Sequence, residues 1–527
     1  MIENLSLSKF NNQPCPSKQK NENSQSFKGL GTALLKGVQL CEQNPMANVA
    51  MLDFTTAIIP RSYVDSKTNI HAGFEAFRRE ASGLFINCLI PGFVALFFGT
   101  LFNNLFMGKG ANLGSCWAGE KTIDTLSQIY SQSTGNCKDK VFNSYKRLLS
   151  DMHGVDGRSE KAFASIKSLN IDETAQKLTD LVFSKDKSSK KIDKIYHSVV
   201  EKTHMAEHLK LKNSAGNITA IDGNLKSLFR DSNKFFKALA NKNITESSKI
   251  SSFAKNAKNL VKAKSIAAFA LIIPLASSMQ YINRKITEKH SGESGAPIYE
   301  DYGQKRELSP SKEKLTSNIK NKDGLLKQKI ISVSSMLGVA LLSFMKKPSL
   351  AMLKDMTLFK GQFPSMDQAR AISAITFSSR MAVADDKNEL GESTLRDIAT
   401  FLSFYFLGDY AAKGAATFLE KKHNVTLLNR TKPLPQNAGN LRKLGNWVLH
   451  TSLKSTDELA SIKTKNLRAA CQLTNLGASL LLLGTLIPKY ARHQTKKKHE
   501  RDLKFQQQME NYALDNKLWG NTSNLLP

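Results

Sequence analysis

The stretch "ASGLFINCLIPGFVALFFGTLFNNLFM", Ala81 to Met107, runs for 27 residues without one ionisable side chain. A helix needs about 20 apolar residues to cross the hydrocarbon of a bilayer, so this one is long enough. It is either a membrane span or the buried helix of a large soluble protein, and the reading of the rest of the chain turns on which.

Three more segments approach spanning length, at 265–282, 398–419 and 469–488. A fifth, 330–345, is confined between Lys329 and Lys346 and is expected to lie in the interface or against the bundle. Basic residues bracket these segments: Arg78, Arg79, Lys262, Lys264, Arg284, Lys285, Lys421, Lys422, Arg468, Lys489 and Arg492. Such ends suit side chains that snorkel to headgroups. Mean hydropathy is slightly negative at -0.31, so spans must alternate with long polar segments.

The polar segment between the first two spans has apolar residues three and four apart, as in "KDKVFNSYKRLLSDM", "DETAQKLTDLVF" and "GNLKSLFRDSNKFFKALA". That spacing predicts a helical bundle, with N-caps at residues such as Asp172 and Asp180. The fold class expected is mostly α: a helical integral membrane protein with about four spans, arranged as two tandem four-helix repeats, plus a helical polar domain. The chain divides into a disordered tail (1–27), first-half helices and first span (28–107), and a basic helical polar domain (108–264). A second span (265–282), a linker (283–329) and second-half helices with a third span (330–419) follow. A connecting loop (420–468), a fourth span (469–490) and a basic C-terminal tail (491–527) complete it.

The repeat rests on order. "LGTALLKG" at Leu30 to Gly37 resembles "LGVALLSF" at Leu337 to Phe344. Each is followed by a helix ending in Arg (Arg61, Arg380), an acidic turn ("VDSK", "ADDK"), a charged pair or triplet (Arg78 to Glu80; Arg396 and Asp397) and a long apolar helix. Each half then reaches an apolar helix introduced by Asn-Leu, at Asn259-Leu260 and Asn466-Leu467. Helical low complexity can mimic such an order.

Few residues suggest chemistry. "HMAEH", His204 to His208, fits H-x-x-E-H. On a helix His204 and His208 would share a face and could hold zinc, with Glu207 as general base. Those five residues resemble the motif of the pitrilysin-like metallopeptidases, and the resemblance implies zinc as the one cofactor to consider. His197, one heptad earlier, favours an ordinary solvated face instead. Asp409 and Lys413 interrupt the third span at i,i+4 spacing, so they form either an intramembrane ion pair or a surface pair. Pro91 and Pro274 fall inside apolar helices as expected span kinks, and Ile59-Pro60 is expected to end a helix. Six scattered cysteines make no C-x-x-C motif, and Cys116 and Cys137 are read as free thiols rather than a disulfide.

These features describe a multi-pass membrane protein acting as a non-catalytic scaffold or transport-like component. The partners expected are membrane lipids with anionic headgroups, which the formal charge of +30 attracts. The alternative is a soluble or peripheral all-α protein bound to anionic lipid or nucleic acid, although no base-reading motif supports nucleic acid. A zinc metallopeptidase centred on 204–208 is the third reading. The polar N-terminus has neither a secretory nor a transit signature, so insertion would use an internal segment. The positive-inside rule favours cytoplasmic termini by a small margin.

Overall fold

In the computed structural model the described residues are 45–491, apart from 68–69, 154–168, 185–188, 208, 213–217, 222, 292–323, 345–355, 386, 431–437 and 460, with isolated positions after 491. The 1–27 tail, the Leu30–Gly37 motif copy, His208, and most of the linker and the C-terminal tail lie outside them.

The described residues form thirteen helices and almost no strand. Helix α1 (45–66) and helix α2 (Ile70–Met107) make a hairpin. A Cβ on Gly73 would stand 2.5 Å from Ser66 Cβ, so only glycine admits this approach. A polar domain follows, with α3 (Glu120–Gln132), α4 (Cys137–Ser150), α5 (Ile171–Phe183), α6 (Ser189–Thr203) and α7 (Leu225–Asn241). Strands β1 (Met152–His153), β2 (Lys210–Lys212) and β3 (Ile218–Ala220) form its small antiparallel sheet.

Asparagines start these helices. Asn136 caps α4 in a reciprocal pair with Asp139, Asn170 caps α5, and Asn224 caps α7. The cap expected at Asp172 is therefore corrected to Asn170, with Asp172 in the first turn, and Asp180 lies inside α5.

Helix α8 (Ser247–Ser291) is continuous for 45 residues, about 67 Å at 1.5 Å per residue. Its first part contributes Ile250, Phe253, Ala257 and Leu260 to the core of the polar domain, where Phe236 packs edge-on to Tyr145. Its later part contributes Ala268, Phe269, Ile272 and Ala276 to a cluster with α2. The helix thus runs nine residues beyond the point at which the sequence pattern closes the second span.

Next come α9 (Leu325–Ser343), α10 (Met366–Ala382), α11 (387–423), β4 (Leu428–Arg430), α12 (Asn440–His450), β5 (Thr451–Leu453) and α13 (Ile462–Ala491). β4 and β5 pair antiparallel. Six helices close a ring in the order α1, α2, α8, α10, α11, α13, each packed against the next and α13 back against α1; α9 packs outside on α10 and α11.

Helices long and apolar enough to cross a membrane are α2, α8, α9 and α13. Two segments change places relative to the sequence reading. The short segment at 330–345 extends back to Leu325 and qualifies, whereas α11, expected as the third span, does not, because Arg396, Asp397, Asp409 and Lys413 charge it.

Wide π turns interrupt four helices, at Phe54–Ile58, Phe85–Leu89, Ser403–Leu407 and Leu482–Leu486. In three of them a proline follows one residue later, at Pro60, Pro91 and Pro488. Proline lacks the N–H donor and crowds the preceding turn, and a wider turn absorbs both. Pro60 therefore does not end its helix, which continues to Ser66. Pro274 lies within the uninterrupted α8.

Candidate functional site: a buried ionic network

Within the ring, charged residues from five helices meet. Arg61 on α1 donates through one Nη to Glu80 Oε1 of α2 at 3.0 Å and through the other to Thr400 Oγ1 of α11 at 2.9 Å. Arg380 on α10 donates to Asp397 Oδ1 of α11 at 2.9 Å and lies 4.0 Å from Glu80 Oε1. Arg396 approaches the same Asp397 oxygen at 3.4 Å. Glu80 thus stands between an arginine from each part of the chain, and the Arg61 to Thr400 contact joins residues 339 positions apart.

A second layer adjoins it. Arg78 donates to Glu75 at 2.9 Å and to Asn283 Oδ1 of α8 at 3.0 Å, and Thr287 donates to Glu75. Asn283 donates to Ser82 Oγ at 2.9 Å. Arg284 bonds both Glu389 and Asp385 at the start of α11. Arg61, Glu75, Arg284 and Arg380 are buried, and Asp397 is only 1% exposed.

This corrects one expectation: Arg78 and Arg284 do not snorkel outward, because both are held by interior carboxylates. Removing charge from water is costly, and such groups persist only when paired. The pairing is incomplete. Among the described residues Arg61 Nε, Arg380 Nε and Asp397 Oδ2 are buried without a hydrogen-bond partner, so two donors and one acceptor of the network stay unsatisfied. Asp53, on the same helix as Arg61, is pushed up to about 7 by burial and by the neighbouring Glu80 carboxylate, against the pull of Arg61 and Arg380. Its carboxyl therefore changes charge near neutrality.

The network closes the ring at the end remote from the polar domain. Glu80 lies 27 residues before Met107 and Asp397 lies 26 before His423. Both intervals amount to roughly 40 Å of helix. At the opposite end Lys264 is fully buried, donates to Gly114 O at 2.9 Å and to Cys116 O, and stands 3.7 Å above the Trp117 ring. The α2 backbone touches this loop directly, since a Cβ on Gly99 would stand 2.2 Å from Gly114 O.

The residues singled out in the sequence lie elsewhere. Helix α6 ends at Thr203, and His204 takes a left-handed backbone with φ of 53°. His204 and Glu207 are consequently not on a helical face, and the Glu207 amide is held by Glu458 Oε1 at 3.0 Å. Among the described residues no group of three His, Cys, Asp or Glu is placed to hold a metal ion. Asp409 and Lys413 do pair, at 2.9 Å, with the lysine buried and the aspartate half exposed. Cys88, Cys116, Cys137 and Cys471 are free thiols. Comparison with protein-family models, curated proteins and solved structures found no match to the chain.

Sequence reasoning used Arg61, Arg380 and the 78–80 and 396–397 charges as landmarks of a repeat, and Arg78 and Arg79 also as the basic bracket of the first span. It missed Asp53, Glu75, Asn283, Thr287, Asp385, Glu389 and Thr400 as their partners. The available signal was the similar Arg-to-acid interval in both halves, Arg61 to Glu80 and Arg380 to Asp397.

Proposed function

We propose that the chain is a multi-pass membrane protein whose helical ring encloses a charged interior, and that it serves as a transport-like component rather than an enzyme. One observation carries this reading: the ring exposes large apolar side chains while it buries charged ones. Its outer surface presents Ile70, Phe74, Phe85, Phe93, Phe97, Leu101 and Leu105 along α2, and Leu326, Ile330, Leu341 and Leu342 along α9. Its interior holds Arg61, Glu75, Asn283, Arg380, Asp397, Gln472 and Asn475. Water would favour the opposite distribution, and exposed apolar surface on this scale marks contact with another apolar phase. Ionisable groups kept inside a membrane bundle are costly and mark pathways for polar solutes.

The two runs α1, α2, α8 and α10, α11, α13 follow one another around the ring, and the first two helices of each carry the Arg-to-acid pair. We read them as parallel halves, an arrangement found in one class of transporter. The termini are taken as cytoplasmic, and lipids with anionic headgroups as the immediate partners.

Fractionation tests the membrane assignment: the full-length chain should stay with membranes through high salt and alkaline carbonate and leave only with detergent. Release without detergent would end that reading. Flux tests the role. Proteoliposomes of the chain should pass a small ion or proton that empty vesicles do not, and Arg380→Gln should reduce the flux; membrane-bound protein without any flux would leave a scaffold.

A further inference from the structure

Helix α12 has no buried residue. An isolated helix of eleven residues is marginal in water, and proteins stabilise such short helices by burying one face. Here the chain does not bury that face. Leu441, Leu444, Val448 and Leu449 stand at i, i+3, i+7 and i+8, on one side, and Leu441 is 87% exposed. Lys443, Asn446 and His450 share the other side, with Arg442 at the border. There is no acidic residue in the helix.

Trp447 ties it to α11. Trp447 donates through Nε1 to Thr417 Oγ1 of α11 at 3.1 Å and lies against the Tyr410 ring, 6.1 Å between centroids. Beside it α11 exposes Phe418 and ends in Lys421 and Lys422. Nearby carboxylates are already engaged. Glu420 accepts from Arg430 and from the Leu427 and Leu428 amides, Asp457 accepts from Tyr196, and Glu458 from Asn429 and the Glu207 amide. Through the Tyr196 and Glu207 contacts the segment carrying α12 docks on the polar domain, at the end of the ring where that domain sits.

We infer that α12 is an interfacial anchor that lies in the headgroup layer of an anionic bilayer, its leucines turned into the acyl boundary and Arg442 and Lys443 toward lipid phosphates. This rests on the membrane reading above. The apolar face supplies insertion and the basic residues supply attraction to anionic lipid, the combination by which amphipathic helices bind membrane surfaces. It also places the edge of the bilayer at the junction of ring and polar domain, level with the C-terminal end of α11.

Tryptophan quenching in reconstituted full-length protein tests this, with Leu444→Trp as reporter, Phe97→Trp as reference, and the emission of the unmodified chain subtracted. The vesicles are phosphatidylcholine with or without phosphatidylglycerol, carrying bromine either near the headgroup end of the acyl chain or near its tip. The Leu444→Trp emission should be quenched about twofold more by the shallow bromine than by the deep one, and Phe97→Trp should prefer the deep one. Replacing Arg442 and Lys443 by Gln should weaken the Leu444→Trp quenching in phosphatidylglycerol vesicles. If Leu444→Trp escapes both quenchers while Phe97→Trp is quenched, α12 faces water or a protein partner and the anchor is wrong although the spans stand. If neither is quenched, the membrane reading falls with it. Equal quenching with and without Arg442 and Lys443 would remove the anionic lipid from the inference.

Discussion

The polar domain and the helical ring are built from similar residues under opposite rules. In the domain the large apolar side chains go inward: Tyr130, Tyr145, Phe229, Phe235 and Phe236 are fully buried, and Phe183 is its one exposed large apolar residue among those described. In the ring, phenylalanines and leucines also line the outside, while arginine, aspartate, asparagine and glutamine lie within beside apolar residues such as Ile372, Met381 and Phe401. Helix α8 obeys both rules in turn along its length. Exposed apolar surface and buried charge thus distinguish the ring from the domain.

Substitutions that treat the regions as equivalent should separate them, and the largest effect is expected inside the ring. Asp397→Ala leaves Arg380 and Arg396 without their shared carboxylate, so unfolding of the detergent-solubilised chain should shift by about 3–5 kcal/mol. The pair Asp397→Leu with Arg380→Met should recover part of it, since it removes the stranded charge of Arg380 and leaves only that of Arg396. A double variant no better than Asp397→Ala would deny that these two charges act as a pair.

The same side-chain truncation gives the next contrast. Phe236→Ala removes a ring that touches Tyr130, Tyr145 and Phe235, and should cost about 3–5 kcal/mol. Phe97→Ala, on the outer face of α2, should cost less than about 0.5 kcal/mol in detergent. Similar costs at both positions, read from denaturant midpoints, would show that Phe97 is not on a surface facing lipid or detergent. At the joint between the regions, Gly99→Ala drives a methyl into the Gly114 carbonyl and should destabilise by about 1–3 kcal/mol.

A last contrast concerns pH. The folded carboxyl of Asp53 titrates near 7, above its unfolded value near 4, so the unfolded state binds fewer protons between those limits. Stability from this group is therefore present at low pH and is lost as pH rises from about 4 to about 7. Asp53→Asn should flatten that part of the stability profile and leave the acid end nearly unchanged. An unaltered slope in the variant would place the titration elsewhere.

Sequence pattern made one region far more legible than the other. Apolar spacing in "KDKVFNSYKRLLSDM" and "GNLKSLFRDSNKFFKALA" anticipates α4 and α7, because local amphipathicity is stabilised by a core that the same segments build. The uncharged run at Ala81 anticipates the apolar part of α2 for the same reason. The ionic network was not legible, since Arg61 and Thr400, or Arg78 and Thr287, meet only through tertiary packing. Asp385 reads only as part of the acidic turn "ADDK" until α8 brings Arg284 onto it and onto Glu389. The helical spacing assumed for H-x-x-E-H does not apply at its described residues, because α6 stops at Thr203, one residue before the motif.

Helix α8 also joins the two ends of the molecule mechanically. One unbroken rod bears Ile250 and Phe253 in the domain core and Arg284 in the ionic layer, with Pro274 as its only internal proline. A tilt of about 5° at its domain end would sweep the far end through on the order of 5 Å, enough to break the Arg284 contacts with Asp385 and Glu389. Displacement of the polar domain and integrity of the Arg284 contacts are thus coupled through a single rod, which packs on α2 and α10 on the way.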